Sequence, residues 1–167
     1  MMLGQDDPTK CTAAKLVKFG LAKKARKSSQ KTMILDPFCQ EFILEADRDI
    51  INSITAIDCS WELAQQTFLR KFAGISRRLP PILAGNPVNY AKIGKLTTAE
   101  AISAALFIMG FNDIAHSILN KFKWGHTFFE LNQELLKEYS GAQTQDKIVE
   151  ISREYGIAAP AISAEYK

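Results

Sequence analysis

The sequence predicts an α/β domain built on a short parallel sheet, and three observations carry that expectation. Three brief apolar runs, 32–35, 54–57 and 81–85, are each closed by turn chemistry. Helical segments separate them, and the C-terminal half is a series of helices opened by capping residues.

Taken in order, residues 12–24 read as a short amphipathic helix, with Leu16, Val17 and Leu21 apolar and lysines between them. The polar stretch 26–30 is loop-like. Thr32-Met33-Ile34-Leu35 makes the first strand, ended by Asp36-Pro37, because proline disfavours continuation. Ile54 to Ile57 is the second strand, and Ser60 is a natural N-cap for a helix from Trp61 to about Phe72. Pro81 to Gly85 is read as the third strand, stopped by Asn86-Pro87. Thr97-x-x-Glu100 is a capping box opening a helix to Met109 that is apolar almost all round, and therefore buried. Gly110 ends it, and Asp113 to Phe122 forms the next helix. Thr127-x-x-Glu130 is a second capping box, opening a helix to Tyr139 with Phe128, Leu131, Leu135 and Leu136 as its stripe. Residues 144–155 form a last, more polar helix, and 158–167 read as a loosely held tail.

Composition excludes several classes. The 167 residues are 47% hydrophobic and 23% charged, with a mean hydropathy of −0.08, which rules out disorder and collagen-like sequence. No run approaches the ~20 apolar residues of a membrane span, and no signal-peptide core precedes residue 30. Cys11, Cys39 and Cys59 stand far apart with no CxxC pair, which argues for a reducing cytosol and against a disulfide framework or cysteine metal site.

The net charge of +3 conceals an asymmetry. From Pro8 to Leu35 there is no acid, and eight cations: Lys10, Lys15, Lys18, Lys23, Lys24, Arg26, Lys27 and Lys31. A second acid-free window, Leu63 to Ala99, holds Arg70, Lys71, Arg77, Arg78, Lys92 and Lys95. A solvated lysine-rich helix explains one such window. Two windows flanking a motif cluster point to RNA or DNA, since phosphate neutralisation releases counterions.

His116 and His126 have no partner motif, and there is no GxGxxG, P-loop or HExxH. The polar clusters fall at the C-terminal ends of the predicted strands, where open α/β sheets bind ligands. They are Asp58-Cys59-Ser60-Trp61 after the second strand and Asn86-Pro87-Val88-Asn89-Tyr90 after the third, with Arg77-Arg78-Leu79-Pro80 just before the third. The cluster from Asn86 to Tyr90 offers backbone groups suited to an adenine edge and ribose hydroxyls.

These motifs, together with Asp7-Pro8-x-Lys10-Cys11-Thr12, Leu96-Thr97-x-x-Glu100-Ala101, Lys121-Phe122-x-Trp124-Gly125 and Leu131-Asn132, occur in an order that resembles the small-subunit ribosomal RNA aminocarboxypropyltransferases. The resemblance runs from about Asp7 to Tyr139 and is of the archaeal type. It implies a SPOUT-like knotted parallel-sheet domain, a small N-terminal α+β domain and a helical C-terminal part. The expected division is 1–50, basic, RNA-facing and closing the cofactor pocket, and 51–167, the catalytic domain. It further implies S-adenosylmethionine as co-substrate, no metal, and a monomer in the cytoplasm acting on a pre-ribosomal particle. The group transferred is 3-amino-3-carboxypropyl, delivered to N3 of a uridine-derived base, in the best-known members a methylated pseudouridine.

Carried over by residue, the resemblance places Thr12 at the donor's carboxylate and the backbone of Ile57 at the ribose hydroxyls. Leu79 and Gly94 take adenine-recognising backbone positions, and Thr98 lies in the same pocket. Gly94 departs from the bulky aromatic often found there. Asp58 falls near the donor's amino group, and Trp61 with Ala64 forms an apolar wall against the sulfonium methyl. Hiding the methyl leaves the carboxypropyl carbon exposed, so Trp61 governs the outcome by orientation and adds cation–π attraction of about 0.5–2 kcal/mol. Asp58 is also the nearest candidate base, although an ordinary aspartate pKa of ~3.9 matches an imide poorly. The RNA contacts expected are Lys10, Lys15, Lys23, Lys24, Arg26, Lys27, Arg70, Lys71, Arg77 and Arg78. The alternatives are a knotted RNA methyltransferase using the same cofactor and a non-catalytic pre-ribosome RNA-binding module.

Overall fold

The computed structural model describes residues 1, 11–59, 64–68 and 72–157. Among them lie three strands, β1 (Thr32–Leu35), β2 (Ser53–Ala56) and β3 (Ile75–Arg77). The helices are α1 (Thr12–Lys18), α2 (Ala64–Phe68), α3 (Thr98–Ile108), α4 (Asn112–Leu119), α5 (Gly125–Gly141) and α6 (Gln145–Glu154). A 3₁₀ turn spans Glu45–Asp49.

The sheet is parallel, in the order β2-β1-β3, with Met33 opposite both Ile54 and Ile75. All four residues of β1 are buried, as expected of a central parallel strand covered on both faces. β1 precedes residue 50 and its two partners follow it, so one sheet draws on both sides of that position.

The third strand is not where the apolar run at 81–85 suggests. Pro80 and Pro81 have no N–H to give a ladder, and Ile75–Arg77 pairs with β1 instead. Residues 81–85 are nevertheless deep in the core, with Ile82 and Ala84 fully buried. Their polar backbone is satisfied by a side chain acting as a strand neighbour. Leu83 N–H donates to Asn132 Oδ1 at 2.9 Å, and Asn132 Nδ2 donates back to Leu83 carbonyl at 2.8 Å. Gln145 treats Phe42 in the same way, at 2.7 and 2.9 Å. Both amides make a buried segment obey the rule that backbone groups find partners.

Helix termini follow local chemistry with three departures. α1 ends at Lys18 rather than near 24, because Gly20 turns left-handed at φ 71° and Leu21 N–H closes on Leu16 carbonyl at 3.0 Å. α4 stops at Leu119, three residues short of Phe122. α5 begins at Gly125, so Thr127 lies inside the helix rather than capping it. The start is set by a close approach: a Cβ on Gly125 would collide with the Leu119 carbonyl oxygen, which only glycine permits. The capping box at Thr97 and Glu100 forms as expected, and Thr144 caps α6.

α3 is the hub, packed against α1, α4, α5 and β2, with Ala99, Ala104, Ala105, Phe107 and Ile108 buried. α5 supplies Phe128, Leu135, Leu136 and Tyr139 to the same core. Tyr139 is fully buried and donates to Pro81 carbonyl at 3.0 Å; burial pushes its phenol up to about 12. No helix among the described residues is long and apolar enough to cross a membrane.

Candidate functional site

All three parallel strands end at one cavity of about 410 Å³. Leu35 ends β1 and Asp36 and Pro37 follow it; Ala56 ends β2 and Ile57 and Cys59 follow it; Arg78, Leu79 and Pro80 follow β3. Ala64 of α2, the segment Ile93 to Thr98 and Ala101 of α3 complete the wall. The volume is in the range of small-molecule sites, ~300–1,000 Å³, and the lining is mostly apolar with a few polar groups. Such crevices at the carboxyl ends of strands are where doubly wound sheets bind ligands. Ile57, Ala64, Leu79, Gly94 and Thr98, five residues from separate sequence motifs, all line it.

Thr12 and Asp58 stand outside that lining, at the N-terminal end of α3. Asp58 Oδ1 accepts from Thr98 Oγ1 at 2.9 Å, and Oδ2 accepts from Cys11 Sγ at 3.1 Å. Asp58 N–H donates to Met1 carbonyl at 2.7 Å, and the Met1 ammonium donates to Ala56 carbonyl. Burial pushes the Met1 amine below its ordinary value, while the Asp58 carboxylate opposes the change. Thr12 Oγ1 accepts from Ala99 N–H at 3.3 Å. The same cysteine caps α1, its sulfur accepting from Ala14 N–H at 3.3 Å. One carboxylate thus ties the end of β2, the start of α1 and the start of α3 together. Burying a charge is tolerable only with such partners, and Asp58 is 9% exposed.

The far wall rests on Glu100, which is fully buried. Its carboxylate accepts five hydrogen bonds: Gly85 N–H (2.7 Å), Asn86 N–H (2.9 Å), Asn86 Nδ2 (2.8 Å), Thr97 N–H (2.7 Å) and Thr97 Oγ1 (2.8 Å). The sequence assigns Glu100 only a cap; the structure gives it both ends of the 85–97 loop. Gly85 must be glycine here, since a Cβ would stand 2.6 Å from the Phe128 backbone. Gly94 sits at φ 70° with open space around it, in a left-handed turn that glycine favours.

Charged groups in the cavity wall are Asp36, Arg78 and Lys95. Asp36 is read from sequence only as a strand end; nothing in the local pattern marks it as a site residue. Phe38 N–H donates to its Oδ1 at 2.9 Å, yet burial pushes its carboxyl above the ordinary value. A raised carboxyl costs stability once it ionises and costs nothing while protonated in both folded and unfolded chains. Asp36→Asn is therefore expected to match wild type in denaturant midpoint below the ordinary 3.8 and to exceed it increasingly as pH rises. Parallel midpoints across that pH series would contradict it.

Arg77 and Arg78 part company. Arg77 pairs with Asp47 at 3.0 Å and Glu41 at 2.6 Å, so its charge is already neutralised within the fold. Arg78 lies over the Phe42 ring at 4.2 Å, with a buried Nε that has no hydrogen-bond partner among the described residues. Burial lowers its pKa. An unmet guanidinium donor in a cavity wall is a group suited to an anion. Of the other expected RNA contacts, Lys23, Lys24, Arg26 and Lys27 are exposed beyond α1, and Lys15 is half-buried. Lys10, Trp61, Arg70 and Lys71 lie outside the described residues.

Comparison with known proteins converges on one group. Residues 33–156 match the family described as "Ribosome biogenesis protein, C-terminal". A relative from Methanosarcina mazei named 16S rRNA aminocarboxypropyltransferase is 43% identical over 157 residues, covering 91% of this chain and 90% of its own. One of the same name from Sulfurisphaera tokodaii is 42% identical over 152 residues, covering 90% and 89%. The solved structure of a SAM-dependent rRNA:acp-transferase from Vulcanisaeta distributa superposes with a TM-score of 0.83 at 37% identity, over 93% of this chain and 86% of that one. With identity and fold agreeing along nearly its whole length, this chain belongs to the 16S rRNA aminocarboxypropyltransferase family.

Proposed function

We propose that this protein transfers the 3-amino-3-carboxypropyl group of S-adenosylmethionine to a uridine-derived base of small-subunit rRNA during ribosome biogenesis, with N3 as the acceptor atom. The observation that carries the reading is the cavity of about 410 Å³ whose wall contains Ile57, Ala64, Leu79, Gly94 and Thr98, the positions that the family resemblance assigns to the cofactor.

In this reading the apolar segment Leu79-Pro80 and the Gly94 turn hold an adenine, and Ile57 meets ribose hydroxyls. Thr12 takes the donor's carboxylate and Asp58 its ammonium, both at the N-terminal end of α3, where helix N–H groups favour negative charge. S-adenosylmethionine supplies a sulfonium with three carbons open to attack. Trp61 and Ala64 cover the methyl, so that orientation selects the carboxypropyl carbon. Arg78, with its unmet donor in the wall, takes an rRNA phosphate, and the exposed cations from Lys23 to Lys27 extend that grip.

The division at residue 50 is then one of role: a basic N-terminal part that faces RNA and closes the pocket, and a SPOUT-like knotted part that binds the cofactor. The wide sequence spacing of Cys11, Cys39 and Cys59 fits a reducing compartment, and we read the protein as a cytoplasmic monomer.

Incubation of small-subunit rRNA with S-adenosylmethionine labelled in its carboxyl carbon is expected to label the RNA. Labelling from the donor's methyl group alone would replace this reading with RNA methylation. Absence of any calorimetric signal with the donor would leave a non-catalytic RNA-binding module.

A further inference from the structure

Residues 82–94 form a finger whose tip, residues 86–92, the proposed reaction has not used. Leu83 and Ile93 bridge antiparallel at its base. Ala84 N–H donates to Lys92 carbonyl at 3.0 Å, Ala91 N–H to Ala84 carbonyl at 2.7 Å, and Gly94 N–H to Ile82 carbonyl at 2.9 Å. Asn86 is 2% exposed and clamps the turn, its Oδ1 accepting Asn89 N–H at 3.0 Å while its Nδ2 donates to Glu100. Ala91 is held at φ 59°, a left-handed conformation that is strained for a non-glycine residue and persists only where its surroundings over-determine it.

This rigid support ends in apolar residues that touch solvent. Val88 is 80% exposed and Tyr90 57% exposed, so the core gains little from either. No acid occurs in the sequence from Leu63 to Ala99, and Lys92 is exposed beside the tip. The finger is also continuous with the cavity, because Ile93, Gly94 and Lys95 at its return are wall residues. An exposed aromatic on a firmly held turn beside Lys92, next to a site that must receive a single nucleotide, matches how proteins capture unstacked bases.

We propose that the Asn86–Lys92 finger is an RNA-reading element in which Tyr90 stacks on a nucleobase flanking the acceptor nucleotide and Lys92 contacts its phosphate. This rests on the rRNA-directed reading above and adds a base-stacking position to it. The partner is single-stranded RNA rather than duplex, since only an unstacked base offers its face to Tyr90.

Stacking and charge differ in salt dependence, which makes the proposal separable from a general loss of structure. Affinity of the full chain for a 16S rRNA transcript is measured by filter binding over a series of salt concentrations. Tyr90→Ala is expected to weaken binding ~10-fold at every salt concentration, leaving the slope of log Kd against log salt unchanged. Tyr90→Phe is expected to bind like wild type. Lys92→Ala is expected to reduce the slope by about 0.7–1. Affinity for S-adenosylmethionine and the melting temperature should be unchanged in Tyr90→Ala.

Wild-type RNA affinity in Tyr90→Ala would overturn the proposal and leave the tip as a protein-facing surface. Equal losses in Tyr90→Phe and Tyr90→Ala would overturn stacking in favour of the hydroxyl. A wild-type chain that transfers no carboxyl label refutes the transfer reading instead, while the Tyr90 comparison, read on binding alone, still decides the finger.

Discussion

Glu100→Ala is expected to cost the domain about 4 kcal/mol or more, enough to unfold much of the population at physiological temperature. The wild-type carboxylate accepts five hydrogen bonds in a fully buried position. Alanine leaves the buried Gly85 and Asn86 N–H groups without a partner, Asn86 Nδ2 keeps only the Lys95 carbonyl at 3.3 Å, and each unmet buried donor costs about 1–3 kcal/mol. Glu100→Gln keeps the shape but turns an NH₂ group toward N–H donors, so it should fall between the two. Urea denaturation checks the order wild type, Gln, Ala. A glutamine variant with a wild-type midpoint would mean that the charge contributes nothing and geometry alone suffices. In a partly stable variant the 85–97 loop should loosen first, with loss of S-adenosylmethionine binding ahead of global unfolding, because Gly94 to Thr98 form one wall of the cavity.

The second large effect is expected on ligand affinity. Asp58→Ala should weaken S-adenosylmethionine binding by roughly 10- to 100-fold, the scale of one or two hydrogen bonds to a charged group. The substitution removes the proposed partner of the donor's ammonium. It also frees Thr98 Oγ1 and Cys11 Sγ, which hold Asp58 at 2.9 and 3.1 Å, and so uncouples α1 from α3. Thr98→Val, which breaks one of those contacts, should cost less, and Cys11→Ser, which retains a donor, least. Calorimetric titration gives all three. Unchanged affinity in Asp58→Ala would place the donor's ammonium elsewhere, with Asp36, the carboxylate in the cavity wall among the described residues, as its partner.

These sites were legible in the sequence to different degrees. Asp58 stands out in a polar turn at the end of an apolar run, whereas Leu79 and Thr98 are picked out as site residues only by the family resemblance; the cavity gathers at the strand ends. Asp36 does not stand out, since Asp-Pro after a strand is ordinary turn chemistry. Only the convergence of three strand ends makes its carboxyl part of a wall. Glu100 is half legible: its spacing from Thr97 marks a cap, but its bonds to Gly85 and Asn86 cross 14 to 15 residues.

Local order was determined by the sequence alone. The first two strands, the Thr97–Glu100 box, the buried character of α3 and the Gly110 stop all follow from contacts within a few residues, which periodicity and capping rules describe. Tertiary structure decided which buried segment joined the sheet. Pro80 and Pro81 left 81–85 in the core but outside the ladder, and Asn132 took the place of a neighbouring strand. It also separated two adjacent arginines. Successive residues of an extended chain point to opposite faces, so Arg77 met Asp47 and Glu41 while Arg78 met the cavity. Which face carries acids and which carries the cavity depends on how helices cover the sheet, and no local pattern around Arg77 and Arg78 encodes that.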